Sequence, residues 1–328
     1  MGFTEIIGHQ KQLNNLRAAL AAGRLHHAYL FFGPEGVGKR KVALALARAI
    51  HCAAKDDDFC GRCVNCVRIA GGNHPDVRLI EPLADKKEIG IPQVRELERE
   101  LHYRAFSGGR KVVIVDPATL MNSAAQNALL KTLEEPPEQS LIVLIAPNTG
   151  RLLPTVRSRC LPLSFAPLPR REVAAFLQSQ GGMNAEEAEV RAAISMGRIG
   201  AAVDLEKDEW MDRRRSWSTM LGALKTGDYH GAMTAAETLA ANRDEALKFL
   251  RWAESWYRDL SIHQTDPSSD DLVNLDMQAQ IAGKAAELGV ARALGAHRRI
   301  AAAAAGIQRN LNRRMVLEKF LFGVVRGR

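Results

Sequence analysis

The stretch GPEGVGKR, from Gly33 to Arg40, constrains the fold more than any other segment of the chain. It follows the short apolar run AYLFF and precedes KRKVALALARAIHC, an Ala- and Leu-rich segment typical of a helix. A strand, a glycine-rich loop and a helix in this order predict a phosphate cradle, because the loop directs backbone N–H groups at phosphate oxygens and the helix adds its positive N-terminal end. The residues that would form this cradle are Gly33, Gly36, Gly38 and Lys39.

Two positions of the predicted cradle lack the groups that ATP hydrolysis needs. The residue after Lys39 is normally Ser or Thr, whose hydroxyl binds Mg²⁺, but here it is Arg40, a permanent cation. The run KVVIVD ends in Asp116, where a metal-facing carboxylate is expected, but Pro117 stands where a glutamate would orient the attacking water. We therefore expect no hydrolysis by this chain, whereas passive docking of ATP or phosphate at Lys39 stays open.

Apolar runs typical of buried strands alternate with helical segments through the first half of the chain. The runs are AYLFF, VRLIE, KVVIVD and SLIVLIA, at residues 28–32, 77–81, 111–116 and 140–146. This alternation predicts the α/β class, with a parallel sheet covered by helices. After a proline-punctuated link, LPLSFAPLPR at 161–170, only helical patterns follow. We expect a phosphate-loop sheet domain at 1–166, a small helical domain at 167–207 and a larger helical bundle at 208–328.

Four cysteines fall within fifteen residues of one polar segment. Thiolates at this spacing can surround a tetrahedral ion, and zinc is the default ion for such a closed, structural site. An iron–sulfur cluster and free thiols are the alternatives. The neighbouring His51 and His74 are expected to be surface or packing residues. The four predicted ligands are Cys52, Cys60, Cys63 and Cys66.

The bulk properties narrow the class of protein without fixing its function. The 328 residues carry a formal net charge of +8, which suits contact with a polyanion and equally suits an ordinary solvated surface. No apolar run reaches the roughly 18 residues of a membrane helix, and MGFTEIIGHQ lacks the layout of a secretory signal. We expect a cytoplasmic protein with no membrane partner.

Arg159 lies in LLPTVRSRC, a segment that follows the strand-like run SLIVLIA. An exposed arginine at this place could reach the γ-phosphate bound by a neighbouring subunit, as a trans-acting finger. An ordinary salt bridge is the alternative, and the spacing alone does not choose between them.

Several ordered motifs together resemble one family. IIGHQ, RLHHAYLFFGPEGVGK, the four-cysteine insert, NALLKTLEEPP and LLPTVRSRC resemble the bacterial clamp loader, the AAA+ assembly that opens the sliding clamp of the replicative polymerase. The resemblance is dense over residues 1–166. It is weaker beyond them, where NLNRRMVLEKFLF is similar to the closing helix of the family's oligomerising collar.

Within that family the resemblance is to the delta-prime type. Hydrolysing gamma/tau subunits carry Lys-Thr or Lys-Ser in the loop and Asp-Glu after the second strand, unlike this chain. The delta type generally lacks the cysteine insert and the Ser-Arg-Cys motif, which this chain has. The family's sensor arginine would fall at Gly200, so a third catalytic group is missing.

The resemblance carries a full set of expectations. It implies an AAA+ domain at 1–166 with a zinc insert at 52–66, a helical lid at 167–207 and a collar at 208–328. It implies a non-hydrolysing subunit of a polymerase holoenzyme, whose Arg159 acts in trans on the ATP of an adjacent gamma/tau subunit. The implied partners are gamma/tau and delta subunits in a hetero-pentamer, with the sliding clamp and primed DNA reached through the complex.

Two rival functions remain at this stage. One is a working gamma/tau-like ATPase that tolerates Arg40 and uses a base not recognised here. The other is a zinc-dependent nucleic-acid-binding module. The composition of the insert argues against a nucleic-acid-binding module. Its few basic and aromatic residues are accompanied by a run of acidic ones, and such a mixture makes no phosphate-binding surface. These residues are Lys55, Phe59 and Arg62 against Asp56, Asp57 and Asp58.

Overall fold

A computed structural model describes residues 2–54, 58–106, 109–204, 207–269 and 271–326, and for 207–209 it describes the backbone alone. Lys55, Asp56 and Asp57 of the predicted insert therefore lie outside the described residues. The chain divides into two compact units, Met1–Gly181 with Gly197–Val203, and Gly182–Met196 with Asp204–Arg328. The domain boundaries expected at 166/167 and 207/208 stay predictions.

The first unit is built on a five-stranded parallel sheet. Its strands are β1 (Ala28–Phe32), β2 (Val77–Ile80), β3 (Lys111–Val115), β4 (Ser140–Ala146) and β5 (Leu161–Ser164). They lie in the order β2-β3-β4-β1-β5, so the glycine loop leaves the sheet from a strand that is flanked on both sides. Every residue of β4 is buried, as expected for the centre of a sheet that is covered on both faces.

Helices cover both faces of this sheet. The helices of this unit are α1 (Gln10–Ala21), α2 (Lys39–His51), α3 (Val64–Ala70), α4 (Ile91–His102), α5 (Ser123–Glu134), α6 (Pro154–Arg157), α7 (Arg170–Gly181) and α9 (Ile199–Val203), with 3₁₀ turns at Phe3–Glu5 and Ala118–Leu120, and α1 to α6 contribute to the cores on the two faces. Tyr29 and Phe31 of β1 join the core formed with α1, α2 and α3. Ala28 and Leu30 join the core formed with α4, α5 and α6. The α/β class with a parallel sheet is thereby confirmed.

One strand was missed in the sequence. Leu161–Ser164 was interpreted as part of a proline-punctuated link, but it pairs with β1 as the edge strand β5. Pro162 lies opposite Leu30 in that pairing. An edge strand tolerates proline because one side of its backbone needs no ladder partner, so the proline marked an edge and not a linker.

The second unit contains helices and no strand among its described residues. It contains α8 (Ala185–Ser195), α10 (Lys207–Ala223), α11 (Tyr229–Ala240), α12 (Arg243–Thr265), α13 (Gln278–Leu288), α14 (Val290–Gln308) and α15 (Arg313–Val325), with a 3₁₀ turn at Leu275–Met277. Its core is rich in aromatic side chains, among them Trp217, Phe249, Trp252, Trp256 and Phe320. Among the described helices, none is long and apolar enough to cross a bilayer.

Candidate functional site

The glycine loop lies between β1 and α2 with the backbone shape that a phosphate cradle requires. Gly33, Gly36 and Gly38 have φ angles of 145°, 79° and 107°. A Cβ on Gly33 would lie 2.0 Å from the carbonyl oxygen of Phe165, so only glycine fits at this position. The helix α2 starts at Lys39, directly after the loop, which places its N–H groups at the loop.

The ammonium of Lys39 is turned onto the loop's own carbonyl groups. Its Nζ donates to the carbonyl oxygens of Gly33 and Pro34, at 2.5 and 2.6 Å. The side chain is buried, and this burial lowers the pKa of Lys39, opposed in part by the charges of Asp116 and Glu35. The cation that would reach the outer phosphates is therefore already satisfied by backbone oxygens.

Arg40 is held between two carboxylates at the carboxyl ends of β2 and β3. Its Nε donates to Oδ2 of Asp116 at 2.5 Å, and its Nη2 donates to Oε1 of Glu81 at 2.6 Å. Asp116 is the acidic residue that the sequence predicted for the metal side of the loop, and a cis peptide bond joins it to Pro117. The guanidinium thus neutralises the carboxylates that would otherwise attract a divalent ion.

Two further segments contact the loop. The imidazole Nε2 of His9, from the IIGHQ motif, lies 2.8 Å from the carbonyl oxygen of Val37 and donates to it. The backbone N–H of Gly200 donates to the carbonyl oxygen of Gly36 at 2.8 Å. The position at which the family resemblance expects a sensor arginine therefore approaches the loop through backbone, without a side chain.

Arg159 lies in the turn between α6 and β5. Its Nη2 pairs with Oε1 of Glu134 at 2.7 Å, and its Nη1 donates to the carbonyl oxygen of Thr155 at 2.9 Å. The side chain keeps 35% of its surface exposed and that of Glu134 keeps 51%. Among the described residues, the structure brings two predicted parts of the site together, the glycine loop and Asp116. Arg159 forms its bonds with other residues, Glu134 and Thr155.

The four predicted cysteine ligands converge beside α3. One Sγ from each of them lies within 4.8 Å of the others. A tetrahedral zinc ion with Zn–S bonds of about 2.3 Å separates its sulfur atoms by about 3.8 Å, so the cluster fits that ion. The residues concerned are Cys52, Cys60, Cys63 and Cys66.

Backbone N–H groups favour the thiolate form in this cluster. The N–H of Cys60 donates to Sγ of Cys52 at 3.2 Å, and the N–H of Cys63 donates to Sγ of Cys60 at 3.4 Å. A hydrogen bond from the backbone of Ala53 lowers the pKa of Cys63 to about 6, whereas burial raises the pKa of Cys66 to about 12. Four convergent sulfur donors with N–H support form a donor set suited to zinc.

Sequence reasoning missed several residues around these sites. Glu81 ends the strand run VRLIE, and the meeting of parallel strand ends at one sheet edge could have signalled it. Glu134, the partner of Arg159, had no such signal. His51 and His74, which the sequence predicted to be surface or packing residues, are buried, with ring centroids 4.5 Å apart and ring planes tilted by 47°, next to the buried Asp76. Burial lowers the pKa of His51 to about 4 and also lowers that of His74.

Known proteins are similar to this chain over 44% to 84% of its length. A family model described as "DNA polymerase III, delta subunit" matches residues 8–169. The delta' subunit of DNA polymerase III from Escherichia coli is 32% identical over 280 residues, which cover 84% of this chain and 81% of that relative. The delta' subunit from Pseudomonas aeruginosa is 44% identical over 144 residues, or 44% of each chain.

A different subunit type matches about half of the chain. The DNA polymerase III gamma/tau subunit from Mycobacterium tuberculosis is 38% identical over 176 residues, which cover 53% of this chain and 30% of that relative. The long alignment to the delta' subunit of Escherichia coli, together with the family model, shows that this chain belongs to the delta' family of DNA polymerase III subunits.

Proposed function

We propose that this delta' subunit does not hydrolyse ATP itself and that it assists hydrolysis by a neighbour in the clamp loader. In this proposal it joins gamma/tau and delta subunits in a hetero-pentamer that loads the sliding clamp onto primed DNA. Its phosphate loop serves as architecture, and Arg159 enters the ATP site of the adjacent gamma/tau subunit. Contact with DNA is shared with the other subunits and runs through phosphates.

The observation that carries the proposal is the position of the Arg40 guanidinium. It bonds Asp116 and Glu81 at once, and Asp116 is only 13% exposed. Two unit charges about 4 Å apart interact by about 4 kcal/mol near a protein surface, and a divalent ion doubles that repulsion. Mg²⁺ and Arg40 therefore compete for the same carboxylates, which opposes binding of Mg-ATP.

Two further features support the absence of turnover. Pro117 follows Asp116 and can neither accept a proton nor hold the attacking water. Lys39 already donates to two carbonyl oxygens, so a phosphate would have to displace both bonds. Even a passively docked nucleotide would lack the metal and the base that phosphoryl transfer needs.

The contacts of Arg159 suit a side chain that can be transferred to another acceptor. Its ion pair with Glu134 is half-exposed, and such pairs contribute under about 1 kcal/mol. A γ-phosphate carries more charge than a carboxylate and accepts a bidentate bond from arginine. A neighbour's nucleotide could thus replace Glu134 at little cost.

The first test measures ATP hydrolysis by the purified chain alone. We expect no turnover above that of Lys39→Ala, which removes the ammonium from the loop. Turnover in the wild-type chain that Lys39→Ala abolishes would establish an active ATPase and overturn the proposal.

The second test measures hydrolysis by the reconstituted loader with clamp and primed DNA. Arg159→Ala should leave assembly intact and slow hydrolysis at the neighbouring site at least tenfold, because a trans arginine stabilises charge in the transition state. Arg157→Ala is the matched control, since Arg157 is an exposed arginine two residues away in the same segment. Equal rates for the wild type and Arg159→Ala would remove the finger role.

A further inference from the structure

Three ionisable side chains form a closed cluster beside the cysteine insert. His51 and His74 keep 6% and 3% of their surface exposed, and Asp76 keeps 3%. One donor atom from each of the three lies within 4.8 Å of the other two. All three belong to the first unit, close to β2 but separate from the four cysteines in their donor set.

Each of the two imidazoles has one buried nitrogen without a hydrogen-bond partner among the described residues. The backbone of Arg110 opposes the lowering of the pKa of His51. His74 accepts the backbone N–H of Asp76 at Nδ1, at 3.2 Å. Among the described residues, neither Nε2 has a hydrogen-bond partner, although both atoms are fully buried. Buried polar atoms are nearly always satisfied, so these two nitrogens are candidates for binding a ligand.

The donor set selects a class of ligand. Two imidazole nitrogens and one carboxylate oxygen suit Zn²⁺ and the other divalent ions of the first transition row, whereas Mg²⁺ and Ca²⁺ prefer oxygen donors alone. The charge of Asp76 excludes an anion. The carboxylate is also oriented from outside, as metal ligands commonly are, because Oδ1 of Asp76 accepts the backbone N–H of Phe106 at 2.7 Å.

We propose that His51, His74 and Asp76 bind a second divalent transition ion, distinct from the ion of the cysteine cluster. Ligation through Nε2 moves the proton of His74 to Nδ1, so its contact with the Asp76 N–H is the one hydrogen bond that must rearrange. The hydrogen bond from the Phe106 N–H to Asp76 is kept.

The location gives this ion a structural role. His51 directly precedes the first cysteine of the insert, and His74 follows the end of α3. The side-chain amide of Asn65, within the insert, donates to the backbone carbonyl of His51 at 2.8 Å. An ion held by His51, His74 and Asp76 therefore clamps both ends of the insert onto the strand that follows it.

The first experiment counts zinc per chain in full-length protein that is loaded with excess Zn²⁺ and then desalted. We expect two equivalents in the wild type and one in His51→Gln. Cys63→Ser should also bind one, and the double variant none. His102→Gln, at an exposed histidine of the same unit, should keep two. One equivalent in the wild type, with no further loss in His51→Gln, would overturn the proposal and leave a buried water as the occupant.

If His51→Gln fails to fold, a second measurement still tests the proposal. Asp76→Asn keeps an oxygen for the Phe106 N–H but removes the carboxylate charge, and Co²⁺ serves as the spectroscopic probe. The cysteine cluster gives an intense thiolate-to-cobalt band in the near ultraviolet, whereas an imidazole–carboxylate site gives only weak visible bands. Asp76→Asn should lose one cobalt and the weak bands, with the thiolate band unchanged. A cobalt content equal to that of the wild type would contradict the site.

Discussion

The phosphate loop and the cysteine insert each bring acidic side chains together, but they differ in what neutralises them. At the loop, the carboxylates of Asp116 and Glu81 are neutralised by a cation of the chain itself, Arg40. At the insert, four thiol groups converge. The first arrangement is complete as folded, whereas we propose that the second takes up a zinc ion. In this proposal one domain has lost a catalytic metal site and keeps a structural one.

The largest expected effect comes from breaking the insert. Cys63→Ser removes one of four thiolates, and we expect the loss of one zinc per chain with a local destabilisation of about 3 kcal/mol, because metal binding and folding are coupled. Metal analysis and thermal unfolding measure both quantities.

The fifth cysteine supplies the control for that experiment. Cys160 is buried in the core on the other face of the sheet, away from the cluster. Cys160→Ser makes the same chemical change and should keep all the zinc. A zinc content in Cys63→Ser equal to that in the wild type would show that the cluster does not bind the ion.

The second prediction separates ligand cysteines from core cysteines by their reactivity. Burial raises the pKa of Cys160 from 9.0 to about 12, so folding lowers its thiolate fraction at pH 8 by about a thousandfold. Because the folded state favours the neutral thiol, the contribution of Cys160 to the stability of the folded state is complete below pH 9 and is lost as the pH rises toward 12.

Alkylation with mass spectrometry measures this difference. In chelator-treated protein at pH 8, Cys63 should react quickly, because its pKa lies near 6, whereas Cys160 should react only after unfolding in urea. Equal labelling of the two residues in the folded chain would contradict the predicted difference in their reactivity.

Much of the molecule was predictable because it is encoded locally. The loop, its missing hydroxyl at Arg40 and the four cysteines stand at fixed spacings, and all of them lie in the structure where those spacings require. Glu81, Glu134 and the cluster around His51 were not predictable in this way. Their roles depend on contacts between residues distant along the chain, and periodicity carries no record of such contacts.

The third prediction concerns a variant of the phosphate loop that lacks its internal cation. Arg40→Thr removes the internal cation and supplies a hydroxyl, so Asp116 and Glu81 become available to Mg²⁺. We expect affinity for a fluorescent ATP analogue to rise about tenfold, or about 1.4 kcal/mol, in the presence of Mg²⁺ only. Hydrolysis should stay absent, because Pro117 still provides no base.

The control for the converted loop is Lys39→Ala in the Arg40→Thr background, which should lose the gained affinity. A binding curve for Arg40→Thr that matches the wild type, with and without Mg²⁺, would show that Arg40 is not what opposes the metal.

The smallest effect is expected at the other arginine. Arg40 bonds two carboxylates, but among the described residues Glu134 is the one carboxylate that pairs with Arg159, across a half-exposed surface. Glu134→Gln should therefore lower the free energy of unfolding by no more than about 0.5 kcal/mol, and the difference should vanish in 1 M salt. Glu135→Gln is the matched control, because among the described residues Glu135 forms no ion pair. A loss of 2 kcal/mol that persists in high salt would mean that Glu134 fixes Arg159 in place. A guanidinium fixed so firmly could not move to a neighbour's phosphate. Arg159 would then be held as tightly as Arg40, and the proposed difference between the two arginines would be wrong.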